Sequence, residues 1–217
     1  MRKLKAYLSD NGIGKTLNRI FYRISIMIGL RKSKTYILKV DFQNYQANES
    51  NLPKYDVELL VDEFLDQFKK VKYYDFLNAD ELANSKNSGA LLAMDSEMII
   101  GFICFHRDVN HTIHSLGHWN LEKNEVWIGP TYVKKEYRNK KVHKLILSKA
   151  IKMFSKDNVK TCYTGINKNN APSLRSFQNV GFEIAGEVSV RKVFNKIVSI
   201  SVKNLRDDIS IMDKFNV

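Results

Sequence analysis

The sequence predicts a mixed α/β (α+β) domain, with one centrally placed β-sheet, part antiparallel and part parallel, flanked by helices. A basic amphipathic helical arm precedes it. Three observations predict this. Short apolar runs rich in β-branched and aromatic residues recur between segments of helical periodicity. Their order is helices, hairpin, strand, helix, strand, helix, hairpin. Charge is concentrated at one end: residues 1–34 hold nine Lys/Arg against one acid, Asp10, giving +8 of the chain's +12.

Composition bounds the classes. Apolar residues at 44% and aromatics at 11% exclude a wholly disordered chain. The length suits one large domain, or a domain with an arm, divided here as 1–34 and 35–217. Cys104 and Cys162 sit in apolar runs and read as buried free thiols. No zinc spacing is present, so no metal site is expected. No apolar run is long enough to span a bilayer, and the start lacks a signal-peptide core, so the expected compartment is the cytoplasm.

In the arm, Ile13, Leu17, Ile20, Phe21, Ile24, Met27 and Ile28 fall in one stripe about 120° wide. Lys15, Arg19 and Arg23 lie opposite. Such a helix suits an anionic membrane surface, at the inner face of the membrane. It equally suits packing on its own domain or on a second subunit of a homodimer. Nucleic acid is not expected, because no recognition motif accompanies the charge.

Thr35–Asp41 reads as a strand and 42–55 as a loop. Val57–Val71 is periodic as a helix, with a second helix between Tyr73 and Asn84. Ala90–Met94 and Met98–Phe105 form a hairpin around Asp95-Ser96-Glu97. Residues 106–123, with His106, His111, His114, His118 and Trp119, read as a loop or excursion. These histidines could line an acceptor pocket, act as base or bind metal, though their spacing matches no closed zinc set and they also read as plain loop residues. Glu125–Val133 is the next strand. Val142, Leu145, Ile146, Ala150 and Met153 then share a helical face. Lys160–Ile166 is a strand, Pro172 suits a helix first turn, and Phe182–Phe194 with Lys196–Val202 close the pattern.

Two segments carry chemistry. Tyr132 and Val133 end a strand, and Lys134 to His143 lead into a helix start. Unpaired N–H groups and the positive dipole end there can bind phosphate. Lys140, Lys141 and His143 would add charge. A solvated basic turn is the plain alternative. In the second segment, Asn167 to Phe182, Asn170 is placed to cap a helix and Gly181 to end it in a left-handed conformation.

Together these segments resemble the acyl-CoA motifs of the GNAT superfamily of N-acetyltransferases. The first matches a strand ending in Val, then Arg/Gln-x-x-Gly-x-Gly/Ala. Arg138 falls on the Arg/Gln, while Lys141 and His143 replace both small residues; helical φ at both would accommodate the side chains. The second matches Asn-x-x-Ser followed by Gly-Phe. The two blocks stand about 32 residues apart in the family's order. Ile99-Ile100-Gly101-Phe102 extends the likeness upstream. The resemblance implies a GNAT-like sheet, splayed at its centre, with acetyl-CoA as co-substrate.

It further implies that residues 138–143 (Arg138, Asn139, Lys140, Lys141, Val142 and His143) cradle pyrophosphate, beside Tyr132 and Val133. The Val133 N–H would stabilise the oxyanion. Asn170 and Ser173 would face the pantetheine arm. Phe177 stands where many members carry a Tyr that protonates the thiolate. Glu125 is a candidate general base, or a surface strand residue. Tyr163 is a candidate acid, or a core aromatic. The acceptor is an amine, with an amino sugar one option. Alternative readings are an acyl-CoA-binding module without catalysis, or a membrane-surface scaffold acting through the arm.

Overall fold

In the computed structural model, residues 31–42, 51–71, 77–107, 110–113, 117–194, 196–205 and 214–216 are described. The amphipathic pattern of 13–28, and with it the arm's attachment, lies outside them. No described helix is long and apolar enough to cross a membrane.

Eight strands form one sheet in the order β10-β9-β1-β8-β7-β4-β3-β2. β1 is Arg31–Asp41, four residues longer at its start than the sequence pattern suggests. It is held on both sides, antiparallel to β8 (Thr161–Asn167) and to β9 (Glu183–Val193). Leu38 and Ile37, on opposite faces, are both fully buried. β9 continues into β10 (Lys196–Asn204), which forms the sheet's edge. The sheet is therefore mixed, as expected: β7 (Glu125–Val133) and β8 are its parallel neighbours.

The opposite edge differs from the sequence reading. Asp56–Leu59 is a strand, β2, and not the start of a helix. Val57 and Leu59 pair with Ala93 and Leu91 of β3 (Ser88–Asp95), so ladder bonds override the helical periodicity. Helix α1 starts at Asp62 and runs to Val71, with Asp62 and Glu63 in its first turn favoured by the dipole. α2 is the short Ala79–Asn84, capped by the Asn78 side chain; 72–76 lie outside the described residues. The predicted hairpin is present as β3 and β4 (Met98–Arg107), joined at Ser96-Glu97.

The excursion is structured. β5 (Asn110–Ile113) and β6 (Gly117–Asn120) pair, and β11 (Phe215–Asn216) adds to β6 as a small second sheet. Helix α3, Val142–Lys156, buries Val142, Leu145, Ile146 and Ala150 on one sheet face, as its periodicity predicts. α4 is Ala171–Gln178, with Pro172 in its first turn. It ends as the sequence predicts: Gly181 has φ 92°. Phe182 N–H returns to the Phe177 carbonyl and Gly181 N–H to that of Gln178, the paired bonds of a Schellman stop. α1 and α2 cover the other face over β3 and β4, around Phe68, Leu82 and Phe102. Both cysteines are buried free thiols, with burial pushing each pKa up.

Candidate acyl-CoA cleft

β7 and β8 run together only from Glu125–Trp127 against Thr161–Tyr163. Beyond Trp127 they part. The irregularity sits in β7, where Gly129 and the cis-linked Pro130 face Cys104 alone on β4, between the pairs Ile103–Thr131 and Phe105–Ile128. Gly129 has φ 134°, a conformation that a side chain resists. The two-against-one register re-aims the strand after it, as β-bulges do.

The gap has a directional backbone. Lys134 N–H donates to the Ile100 carbonyl at 2.8 Å. In an antiparallel ladder the next pair, Gly101–Val133, then points its N–H and C=O groups away from the partner. Val133 therefore aims its N–H toward the β8 side, where no strand pairs it. Its carbonyl accepts from Arg138 Nε at 3.2 Å. Gly101 permits the close approach of these strands: a Cβ there would lie 2.8 Å from the Tyr132 carbonyl oxygen.

A cleft of about 1250 Å³ opens from this gap. At one end it is lined by Tyr132, Val133, Arg138, Asn139, Lys141, Val142, His143 and Lys144, and by Asn170, Ser173 and Phe177 of the α4 region. The structure thus brings together all the sequence-predicted cradle residues except Lys140, whose ammonium lies 4.8 Å from the Tyr137 ring centre. The first bond within α3 runs from Leu145 N–H to the Lys141 carbonyl. The N–H groups of Val142, His143 and Lys144 therefore have no acceptor inside the helix, and Lys141 supplies no side-chain cap. Asn170 caps α4 through Ser173 N–H, as expected.

Two expectations for this end are corrected. Lys141 does not have helical φ; at 59° it holds the left-handed conformation natural to the glycine it replaces. His143 adds no charge. Its Nδ1 lies 2.7 Å from Ser176 Oγ, its ring meets Phe177 edge-on, and burial lowers its pKa to about 4.

The other end of the cleft is different in character. Leu77, Asn78, Glu81 and Leu82 from the α2 region, His106 of β4 and Trp127 of β7 line it. His106 pairs with Trp127, and Gly101 with Val133, so five β4 residues, about 16 Å, separate the ends. His106 Nδ1 lies 2.8 Å from Ser88 Oγ, and burial lowers its pKa to about 4. Among the described lining residues the cations Arg138, Lys141 and Lys144 stand at the first end and the one acid, Glu81, at the second. The second helix expected between Tyr73 and Asn84 is α2, but nothing in the sequence pattern marks it as part of this wall. His118 is exposed on β6; His114 lies outside the described residues.

Glu125 and Tyr163 are brought together, but not in the cleft. They stand at the paired end of β7 and β8, where Tyr163 OH donates to Glu125 Oε1 at 3.2 Å. Lys214 Nζ meets both Glu125 oxygens, at 2.8 and 2.7 Å, and Glu122 Oε1 at 2.9 Å. Glu122 N–H donates to Glu125 Oε2. Burial and the neighbouring Glu125 raise the Tyr163 pKa. Burial opposes the Lys214 charge, yet its bonds to Glu125 and Glu122 hold its pKa above the usual value. Trp119, fully buried, packs against Trp127 and Tyr163 with the rings tilted by 52° and 54°.

The two depressed histidines make stability pH-dependent. Unfolded, each imidazole takes a proton near pH 6.5; folded, it resists to about pH 4. Stability therefore falls as pH drops through that window, by up to about 1.4 kcal/mol per pH unit for each histidine, and is fully present above it. Urea midpoints measured from pH 7 to 5 should decline, and His143→Gln should flatten the decline. A wild-type midpoint constant over that range would contradict the lowered pKa of these two half-buried rings.

The model of the Acetyltransferase (GNAT) family matches residues 57–182. A search of curated proteins gave no match. Solved structures with similar folds include a conserved protein of unknown function from Staphylococcus epidermidis (12% identity, TM-score 0.56), covering 85% of this chain and 67% of that one. A Drosophila protein is similar at 12% identity and TM-score 0.56, over 82% of this chain and 57% of its own. An aminoglycoside N-acetyltransferase solved with CoA is similar at 15% identity and TM-score 0.50, over 59% of this chain and 91% of its own. The family model covers more than half of the chain, in the segment that builds the splayed strands and both helix starts. This chain is a member of the GNAT acetyltransferase family.

Proposed function

We propose that the protein is an N-acetyltransferase that moves an acetyl group from acetyl-CoA to a small amine. The observation that carries this reading is the parting of β7 from β8, with Val133 N–H aimed into the gap and unpaired α3 N–H groups at its basic end. These groups fit a pyrophosphate. Arg138, Lys141 and Lys144 supply charge there, and Asn170, Ser173 and Phe177 border the path of a pantetheine arm. Bound acetyl-CoA would supply an activated thioester carbonyl. Val133 N–H is the donor placed to polarise it.

The acceptor end favours an amine with an apolar body. Leu77, Leu82 and Trp127 offer apolar surface, and Glu81 offers an anion for a second ammonium. No described cation lines that end, which disfavours a phosphorylated amino sugar and leaves an uncharged sugar amine within reach. His106, kept neutral and hydrogen-bonded to Ser88, stands too far along β4 from Val133 to take the proton of the attacking amine, and instead borders the amine's body. Glu125 and Tyr163 instead brace the strands beneath the site. Thiol release from acetyl-CoA over a panel of amines tests this. Alkyl and aryl amines should support turnover and phosphorylated amino sugars should not. Thiol release with none, in a protein that binds acetyl-CoA, would leave a binding module.

A further inference from the structure

The tip of the β9–β10 hairpin is built unlike a soluble turn. Val193 pairs with Lys196, so the connection at this tip is two residues long, with Phe194 its first. Such turns call for residues that accept positive φ, usually Asn or Gly. Phe194 has φ 47° and is 69% exposed. Next to it the register slips between Ile197 and Ser199, and the extra residue is Val198. Val198 is 58% exposed and Ile197 41%. An aromatic held in a costly conformation, beside two exposed β-branched residues, is a contiguous apolar projection.

The described strand residues next to it carry basic charge. The stretch 188–204 holds Arg191, Lys192, Lys196 and Lys203 and no acid. Arg31 and Lys32 of β1 pair with Lys192 and Arg191. The chain before Arg31, itself basic and amphipathic in sequence, therefore joins the domain beside this tip.

We propose that the β9–β10 tip docks on an anionic lipid bilayer, with Phe194, Ile197 and Val198 entering the headgroup region and the surrounding Lys and Arg side chains contacting lipid phosphates. Charge complementarity selects the occupant. A second copy of this chain would bring the same basic cluster against itself, whereas anionic headgroups neutralise it and admit the apolar residues. The proposal is independent of the acetyltransferase reading, because the hairpin lies outside the cleft lining.

Co-sedimentation of the full chain with vesicles of phosphatidylcholine, with and without 30% phosphatidylglycerol (roughly the anionic fraction that recruits basic proteins), tests it. Binding is expected to the anionic vesicles only and to weaken with salt. Phe194→Asn combined with Val198→Ser should lower the partition coefficient about tenfold, as the loss of about 1.4 kcal/mol would. Asn suits the left-handed position, so the variant's melting temperature should be unchanged or raised. Failure of the wild type to bind would overturn the proposal. So would binding undiminished in the variant, which would assign the membrane contact to the arm alone. A concentration-dependent dimer that the same variant dissociates would assign the tip to a second copy instead.

Discussion

Lys214→Met is expected to lower the free energy of unfolding by about 3 kcal/mol, the range found when one member of a buried ion pair is removed. The side chain of Glu125 is 8% exposed and that of Lys214 is 15%. Both carboxylate oxygens of Glu125 meet the one ammonium. Without it, Glu125 keeps, among the described residues, the Tyr163 hydroxyl and the Glu122 N–H, and must either stay charged without a described counter-ion or take up a proton. Lys214 also precedes β11, which pairs with β6 at Trp119. Its loss should loosen the small sheet that backs Trp127 and Tyr163. Urea denaturation of Lys214→Met and of the double variant Lys214→Met/Glu125→Gln separates the causes. The double variant should recover much of the loss, because the orphaned charge is gone. A single variant as stable as the wild type would show that the pair braces nothing.

Arg138→Ala should weaken acetyl-CoA binding about 10- to 100-fold, as the loss of one charge-assisted phosphate contact of about 1.5–3 kcal/mol requires. The residue is exposed, so the fold should be unaffected. Its guanidinium also fastens the loop before α3 to β7 through the Val133 carbonyl. Arg138→Lys keeps the charge without the planar fork and should fall between the two. Binding measured by calorimetry at equal ionic strength provides the comparison, and an unchanged dissociation constant for the Ala variant would remove Arg138 from the cradle.

The basic end of the cleft was legible because it is local. Strand end, loop, helix start, N-cap and glycine stop each leave a mark in consecutive residues, and Val133, Arg138, Asn170 and Gly181 carried those marks. The other end of the cleft is assembled from segments distant in sequence. Glu81, His106 and Trp127 meet only because β3, β4 and β7 are adjacent; the second helix was legible between Tyr73 and Asn84, but its place in this wall was not. Val57 and Leu59 misled for a related reason: their spacing fits a helix, but an open sheet edge beside β3 decides their conformation. Glu125 and Tyr163 were visible as chemistry-bearing residues on the two central strands. Their depth along those strands was not, since it depends on where β7 and β8 part. Lys141 showed the reverse: a lysine where glycine is natural still adopts the glycine's φ.

A calorimetric titration of the full chain with acetyl-CoA, beside the same titration with an acetyl-pantetheine thioester that lacks the pyrophosphate, bears on the donor site as a whole. Saturable one-to-one binding of acetyl-CoA, weakened by salt and much tighter than that of the short thioester, is the expected result. No saturable heat at millimolar acetyl-CoA, or equal affinity for the two ligands, would contradict a phosphate cradle at the start of α3.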